Sequence, residues 1–156
     1  MVEELKKRIE TARADNVTVT QAGFLSYERL GDGVDFVYTR NALHHLPDFW
    51  KASALLRIAS MLQPRGVLRL RDLIFSCAPN EIDGVLDRWL DSVDEGRSGW
   101  TRAELEKHLT EEHSTYSWLL EPMITRAGFD IQDVVYSESR VFAAYTCIKR
   151  KSPRPS

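Results

Sequence analysis

The pattern of hydrophobic and polar positions is clearest over residues 34–72, where it predicts a strand, a helix and a second strand. A short β-favouring run at residues 34–38 leads into a polar loop, after which Pro47 begins a helix as first-turn prolines do. Pro64 and Gly66 end that helix before the next apolar run. The apolar face of the helix is formed by Phe49, Ala52, Leu55, Leu56, Ala59 and Leu62. The segment predicts a βαβ unit with parallel strands, and such units bind ligands beyond the carboxyl ends of the strands.

Helical patterns follow this unit. A helix is predicted from Pro79, with an apolar side formed by Ile82, Val85, Leu86, Trp89 and Leu90. Residues 91–99 are polar, contain two glycines and are expected to form a mobile loop. Thr101 and Glu104 have the spacing of a capping box, so a helix should begin there and continue to about residue 108 or 112.

A further helix and a hairpin complete the expected fold. The helix is predicted over residues 118–127, with Gly128 as the residue that ends it. Residues 131–136 and 141–148 have strand composition, and the four residues between them are too few for a parallel crossover. These two strands must therefore form an antiparallel hairpin.

Before residue 34 there is room for one helix and one strand. Leu5, Ile9 and Ala12 mark one face of a helix whose other positions are mainly charged. Asp15 and Asn16 break this pattern, and residues 17–20, with the sequence Val-Thr-Val-Thr, predict a strand.

Bulk composition narrows the classes of partner. The 156 residues have a net charge of -2 and an isoelectric point near 6.1, which give no electrostatic reason to expect nucleic acid or anionic membrane as a partner. No apolar run approaches the roughly 20 residues that span a bilayer, and the charged start lacks a signal-peptide core. A cytoplasmic protein is therefore expected. Cys77 and Cys147 predict buried thiols, with no disulfide framework and no metal site.

Several motifs together resemble one enzyme family. Asp35, the run ALHHLPD at residues 42–48 and the run LQPRGVLRLRD at residues 62–72 are similar to the segment after the fourth strand of class I S-adenosylmethionine-dependent methyltransferases. The similarity continues through AGF at residues 127–129 and AAYTCIK at residues 143–149. The family's G-x-G-x-G loop after its first strand is absent, as is the acidic residue that ends its second strand.

The resemblance implies a Rossmann-like α/β sheet, mostly parallel with a C-terminal antiparallel hairpin, that lacks the first two strands. Residues 1–150 would be an incomplete methyltransferase domain, and residues 151–156 a disordered tail. Met1 would then be a gene-model start or the start of a genuine truncation. In the family's strand order, residues 34–38 become an edge strand. Three outcomes are open: the strand at residues 17–20 pairs with this edge, another chain adds a strand to it, or the N-terminal segment stays loosely attached and the edge is exposed.

The resemblance also implies a cofactor site for S-adenosylmethionine. It places Gly23, Phe24 and Leu25 against the adenine. It places Arg40, Asn41 and Ala42, at the end of the following strand, against the methionine part of the cofactor. The implied reaction is methyl transfer to a small-molecule acceptor, although the isolated chain is expected to be inactive because it provides only one wall of the pocket.

Candidate chemistry lies beside this site. His44 or His45 could act as a general base, although either could instead pack over the helix start or hold a backbone carbonyl. Asp72, at the carboxyl end of its strand, is a candidate substrate contact. The residues His108, Glu111, Glu112 and His113 are expected to be solvated, because their spacing does not place metal ligands on one helical face.

A second interpretation stays open from sequence. The chain could be a non-catalytic remnant or interaction module that binds a partner through its open sheet edge. A homo-oligomer or a strand-completing partner chain would then be expected. An upstream strand followed by G-x-G-x-G would favour the enzyme.

Overall fold

The computed structural model describes residues 2–94 and 101–151. These residues form a sheet flanked by helices. The helices are α1 (Val2–Ala12), α2 (Asp48–Met61), α3 (Ile82–Asp94), α4 (Arg102–Glu111) and α5 (Ser117–Arg126), and the strands are β1 (Val34–Arg40), β2 (Leu62–Phe75), β3 (Thr115–Tyr116), β4 (Phe129–Tyr136) and β5 (Phe142–Lys149). Short 3₁₀ segments lie at Leu43–His45 and Pro79–Glu81. Each helix of the described residues is too short or too polar to span a lipid bilayer.

The main sheet has the order β1-β2-β5-β4. β1 and β2 are parallel, with Tyr38 opposite Arg69, which confirms the predicted βαβ unit. β5 is antiparallel to both β2 and β4, which confirms the C-terminal hairpin. The two-residue strand β3 pairs with β2 in parallel, where β2 extends beyond β1. The fold is therefore the expected α/β sheet with an antiparallel end.

Two apolar clusters hold the helices on the sheet. The larger one packs α2 and α5 against the sheet, and its members include Leu55, Ile58, Leu70, Ile124 and Tyr145. The smaller one joins α3 and α4 to the outer end of β2 and includes Phe75, Val85, Trp89, Leu105 and Val141. Burial of these side chains from water supplies the main stabilisation of both layers.

Local signals set several helix boundaries. Thr101 accepts a hydrogen bond from the N–H of Glu104 at 3.3 Å, and the Glu104 carboxylate accepts one from the N–H of Thr101 at 2.8 Å, so the predicted capping box is confirmed. Gly128 follows α5 with a φ of +99°, a left-handed conformation that glycine adopts without strain. The mobile loop predicted at residues 91–99 is wrong for residues 91–94, because α3 continues to Asp94. Residues 95–99 of that prediction lie outside the described residues, and so do residues 152–156 of the predicted tail.

The strand predicted at residues 17–20 is wrong. These residues have no strand hydrogen bonding, and Val17 is exposed. A strand is stable only where its backbone groups find a partner strand, and residues 17–20 do not pair with the edge of β1. The helix α1 is confirmed, but none of its residues is buried. β1 is therefore an edge strand, as expected from the strand order.

Gly66 allows β1 and β2 to approach closely. A Cβ atom at this position would lie 2.9 Å from the carbonyl oxygen of Gln63, 2.9 Å from Cδ2 of Leu62 and 3.2 Å from the carbonyl oxygen of Asp35. The pairing of β1 with β2 is irregular at this point. We expect Gly66→Ala to lower the free energy of unfolding by about 1–3 kcal/mol, because two of the three close neighbours are backbone atoms.

Gly84→Ala is the matched control in α3. Its Cβ would meet only the end of the Arg88 side chain, at 3.5 Å. Alanine is the better helix former, so this variant should raise the free energy of unfolding by about 0.5–1 kcal/mol. Urea denaturation of both variants measures the difference, and equal changes of the same sign would contradict the close approach at Gly66.

Candidate functional site

A crevice opens beside β1 and extends to the loop at its carboxyl end. Its volume is about 780 Å³, within the range of small-molecule sites. One wall is β1 itself, and the facing wall is the turn that contains Gly23 and Phe24. Arg57 on α2 holds this turn, because its guanidinium donates to the carbonyl oxygens of Phe24 at 3.1 Å and Tyr27 at 2.7 Å. The N-terminal segment is thus fixed to the crevice although it adds no strand.

Five of the nine predicted site residues line this crevice: Gly23, Phe24, Arg40, Ala42 and His45. Leu25 is adjacent in sequence but does not line it. Asn41 has a φ of +48° and its N–H donates to the carbonyl oxygen of Arg71 at 2.9 Å. Asparagine tolerates this left-handed conformation, so Asn41 turns the chain away from β1.

Thr39 is a crevice residue that was not among the predicted site residues, although it belongs to residues 39–45, where the sequence favours ligand chemistry. It is buried, and among the described residues its Oγ1 is the buried side-chain polar atom that has no hydrogen-bond partner. A buried hydroxyl without a partner is costly, and sites that bind polar ligands are where such groups occur. The sequence signal was its position at the carboxyl end of a parallel strand, where ligands bind.

Asp72 organises the loop that borders the crevice. Its Oδ2 accepts hydrogen bonds from the N–H groups of Leu43 at 2.7 Å and Ala42 at 3.2 Å, and its Oδ1 accepts from the N–H of Leu73 at 2.8 Å and from Nδ1 of His44. The side chain is 2% exposed, so in this structure it has almost no surface with which to contact a substrate. Asp72 therefore positions the 3₁₀ segment that carries both histidines.

The electrostatics of Asp72 fit this role. Burial raises the pKa of the Asp72 carboxyl. The hydrogen bond and charge of His44 lower it, as do the hydrogen bonds from the N–H groups of Leu73 and Leu43. Together these contacts outweigh burial and hold the pKa of Asp72 below its usual value. The carboxylate is thus ionised at neutral pH. In the neutral form of His44, Nδ1 carries the proton that is donated to Asp72, and Nε2 is the ring nitrogen with a lone pair.

The two adjacent histidines have different environments. His44 is buried, whereas the side chain of His45 is 57% exposed and lines the crevice. Nδ1 of His45 lies 2.6 Å from Oε2 of Glu112, beyond the end of α4. Burial raises the pKa of the Glu112 carboxyl, but the hydrogen bond and charge of His45 outweigh it and lower the pKa. Of the two candidate bases, only His45 reaches the crevice.

The prediction that His108, Glu111, Glu112 and His113 are solvated is wrong for His108. Its side chain is buried, its Nε2 lies 2.8 Å from Oγ of Ser114, and its ring centroid lies 5.0 Å from that of His44. Burial lowers the pKa of the His108 imidazole, which favours its neutral form. α4 thus packs a histidine against the loop after β1, a tertiary contact that helical spacing does not reveal.

Comparison with known proteins identifies the fold. No protein-family model and no curated protein matches the sequence. The crystal structure of YcgJ from Bacillus subtilis superposes with a TM-score of 0.68 at 15% identity, over 97% of this chain and 79% of that one. The magnesium protoporphyrin IX methyltransferase ChlM from Synechocystis, with bound SAH, gives 0.62 at 16% identity, over 96% and 59%. The cyclase SpnF gives 0.70 at 14% identity, over 97% and 63%.

The chain therefore has the fold of class I S-adenosylmethionine-dependent methyltransferases. It spans 34% of the TnmH chain, 63% of SpnF and 39% of the mitomycin 7-O-methyltransferase MmcR. Identities of this size establish the fold alone, and the cyclase among the neighbours shows that the fold does not by itself fix the reaction.

Proposed function

We propose that this chain forms one wall of an S-adenosylmethionine site in a protein that methylates a small molecule. The observation that carries the proposal is the crevice beside β1, because it gathers Gly23, Phe24, Arg40 and Ala42 from two segments of the chain. A neighbour with the same fold was solved with SAH bound. Two buried free cysteines fit a reducing, cytoplasmic setting.

The crevice residues fit such a cofactor in part. Phe24 and Ala42 offer apolar surface. The hydroxyl of Thr39 is buried without a partner, so it would contact a polar ligand group only after its side chain rotates toward the crevice. The G-x-G-x-G loop is absent from the sequence, so this chain lacks the run of backbone N–H groups that such a loop provides. We therefore propose weak binding by this chain alone and tight binding only where a further segment completes the pocket.

The side chains of this chain would position and deprotonate an acceptor. The cofactor supplies an electrophilic methyl group on a sulfonium. His45 is the candidate base, since Nδ1 is engaged by Glu112 and Nε2 remains to accept a proton. His44 and Asp72 fix the loop that carries His45. Titration of the chain with S-adenosylhomocysteine, followed at the amides of the crevice residues, tests the proposal.

Thr39 gives a prediction that separates a ligand-binding role from a structural one. Thr39→Val replaces an unpartnered buried hydroxyl with a methyl group of similar size, so we expect the free energy of unfolding to rise by about 1–2 kcal/mol. Thr115→Val is the matched control, because the buried Thr115 hydroxyl donates to Oδ2 of Asp48 at 3.2 Å. This control should lose about 1 kcal/mol. Denaturant melts of both variants measure these changes in the free energy of unfolding. A lower free energy of unfolding in Thr39→Val would contradict the proposal that the Thr39 hydroxyl is reserved for a ligand.

A non-catalytic interaction module is the second candidate. The observation that favours it is the free edge of β1, which pairs only with β2 among the described strands. Phe36 and Tyr38 on this strand are 57% and 53% exposed. An apolar strand with unpaired N–H and C=O groups is a template for a strand from another chain. A strand-completing partner or a second copy of this chain would occupy that edge.

A further inference from the structure

A group of metal-ligating side chains lies at the mouth of the crevice. His44, His45 and Glu112 each offer one ligand atom, and these three atoms lie within 4.8 Å of one another. The donors come from two places far apart in sequence, the 3₁₀ segment after β1 and the residue after α4. From these positions we infer a binding site for a single Zn²⁺ ion, with two imidazoles and one carboxylate as its protein ligands.

The environment of His44 is that of a zinc ligand. Asp72 accepts a hydrogen bond from Nδ1 of His44, which leaves Nε2 for an ion. Histidines that bind metals usually donate their other ring N–H to a carboxylate or a carbonyl, and this second bond fixes the ring and makes the ligand nitrogen more basic. Asp72 is itself held by three backbone N–H groups, so the arrangement exists before an ion binds.

The two segments are already joined. The N–H of His113 donates to the carbonyl oxygen of His44 at 2.8 Å, and the buried Lys51 ammonium donates to the carbonyl oxygen of His113. These bonds hold Glu112 near the histidines without using any of the three ligand side chains. Zinc–nitrogen and zinc–oxygen distances of about 2.0–2.2 Å in a tetrahedron require ligand atoms about 3.3 Å apart. Nδ1 of His45 and Oε2 of Glu112 now lie 2.6 Å apart, and the whole group spans up to 4.8 Å, so an ion would replace the His45–Glu112 hydrogen bond and the side chains would move by about 1–2 Å.

Access and charge also favour a cation here. More than half of the His45 side chain is exposed, so an ion can enter from solvent. The two carboxylates of Asp72 and Glu112 together balance the charge of one divalent ion. Asp72 is not a ligand; it is hydrogen-bonded to Nδ1 of His44. Three protein ligands leave the fourth tetrahedral position open toward water. The site does not depend on cofactor binding. An ion bound to His45 and Glu112 would replace the hydrogen bond between them, so the base role proposed for His45 applies to the chain without zinc.

The test is a competition titration. The full chain is prepared without a histidine tag and freed of metal, ZnCl₂ is added in the presence of a coloured zinc chelator, and the absorbance of the chelator reports how much zinc the chain binds. We expect one ion per chain. His45→Gln and Glu112→Gln should each weaken binding by at least about tenfold. His113→Gln and Glu111→Gln are matched controls on exposed neighbours and should stay within about twofold of the wild type.

Co²⁺ provides an independent readout, since a tetrahedral site gives intense visible absorption bands that an octahedral aquo ion lacks. Both ligand variants should lose these bands, and far-UV circular dichroism should show each to be folded. If one variant fails to fold, the other decides. The proposed site is overturned if the wild type does not bind one ion per chain. It is also overturned if the result is an adventitious ion only, that is, if the ligand variants bind zinc as tightly as the two controls.

Discussion

Asp72→Asn is expected to lower the free energy of unfolding by about 3–5 kcal/mol, because it removes one partner of a buried, hydrogen-bonded pair. The carboxylate accepts from three backbone N–H groups and from His44. An asparagine side chain has the same shape, but one of its two terminal atoms is an N–H₂ donor instead of an acceptor oxygen. At least one buried N–H group that Asp72 accepts from would then face another donor and lose its hydrogen bond. Urea denaturation with a linear extrapolation measures the loss.

Asp133→Asn is the matched control for this prediction. The Asp133 side chain on β4 is 60% exposed and lies 3.9 Å from Arg69, so the substitution should change the free energy of unfolding by less than about 0.5 kcal/mol. A loss below about 1 kcal/mol at Asp72 would mean that the 3₁₀ segment does not depend on this carboxylate.

The free edge of β1 gives the second large effect. We expect the chain to associate in solution, with a mass by light scattering of at least two copies of its 17.9 kDa. Phe36→Lys should return the mass to that of one chain, because a lysine on an edge strand disfavours pairing with another strand. The side chain of Phe36 is an exposed apolar group on that strand, so its replacement costs little folding stability.

Phe49→Lys controls for the loss of an exposed phenylalanine. Phe49 lies on α2 and is 72% exposed, so this variant should associate as the wild type does. A monomeric wild type whose residues 34–38 are fully protected in hydrogen exchange would show instead that the chain covers its own edge.

The elements from β1 onward could be predicted because each carries a local signal. Pro47 begins α2 from its N-cap position, Thr101 and Glu104 cap α4, and Gly128 ends α5. These signals act within a few residues, so they are visible in sequence. The hairpin of β4 and β5 followed from a connection too short for any other arrangement.

Two errors came from tertiary effects. Residues 17–20 have high β-propensity, but propensity does not supply the partner strand that a β-strand requires. β2 begins at Leu62, earlier than predicted, because pairing with Val34 extends the strand through Pro64 and Gly66. Both outcomes depend on which backbone groups meet in space, and sequence patterns do not contain that information.

The candidate site was predicted in location but not in its internal contacts. The family resemblance and the parallel-strand rule placed the crevice beside β1. Neither could show that Asp72 would be enclosed by backbone N–H groups, or that His108 and Glu112 would pack against the histidine loop. The signal that could have indicated the first of these contacts is the position of Asp72, directly before the apolar run Leu73–Phe75 and at the end of the sheet where the loop N–H groups need acceptors.

The central claim is that this chain provides one wall of an S-adenosylmethionine pocket, and a titration of the isotopically labelled chain with S-adenosylhomocysteine tests it most directly. We predict amide shift changes at Gly23, Phe24, Arg40 and Ala42, with no changes at Asp130 on the far strand, and a dissociation constant weaker than about 100 μM, because one wall supplies few polar contacts. Saturation at micromolar ligand would contradict the one-wall account, and unchanged crevice amides at millimolar ligand would contradict the site itself.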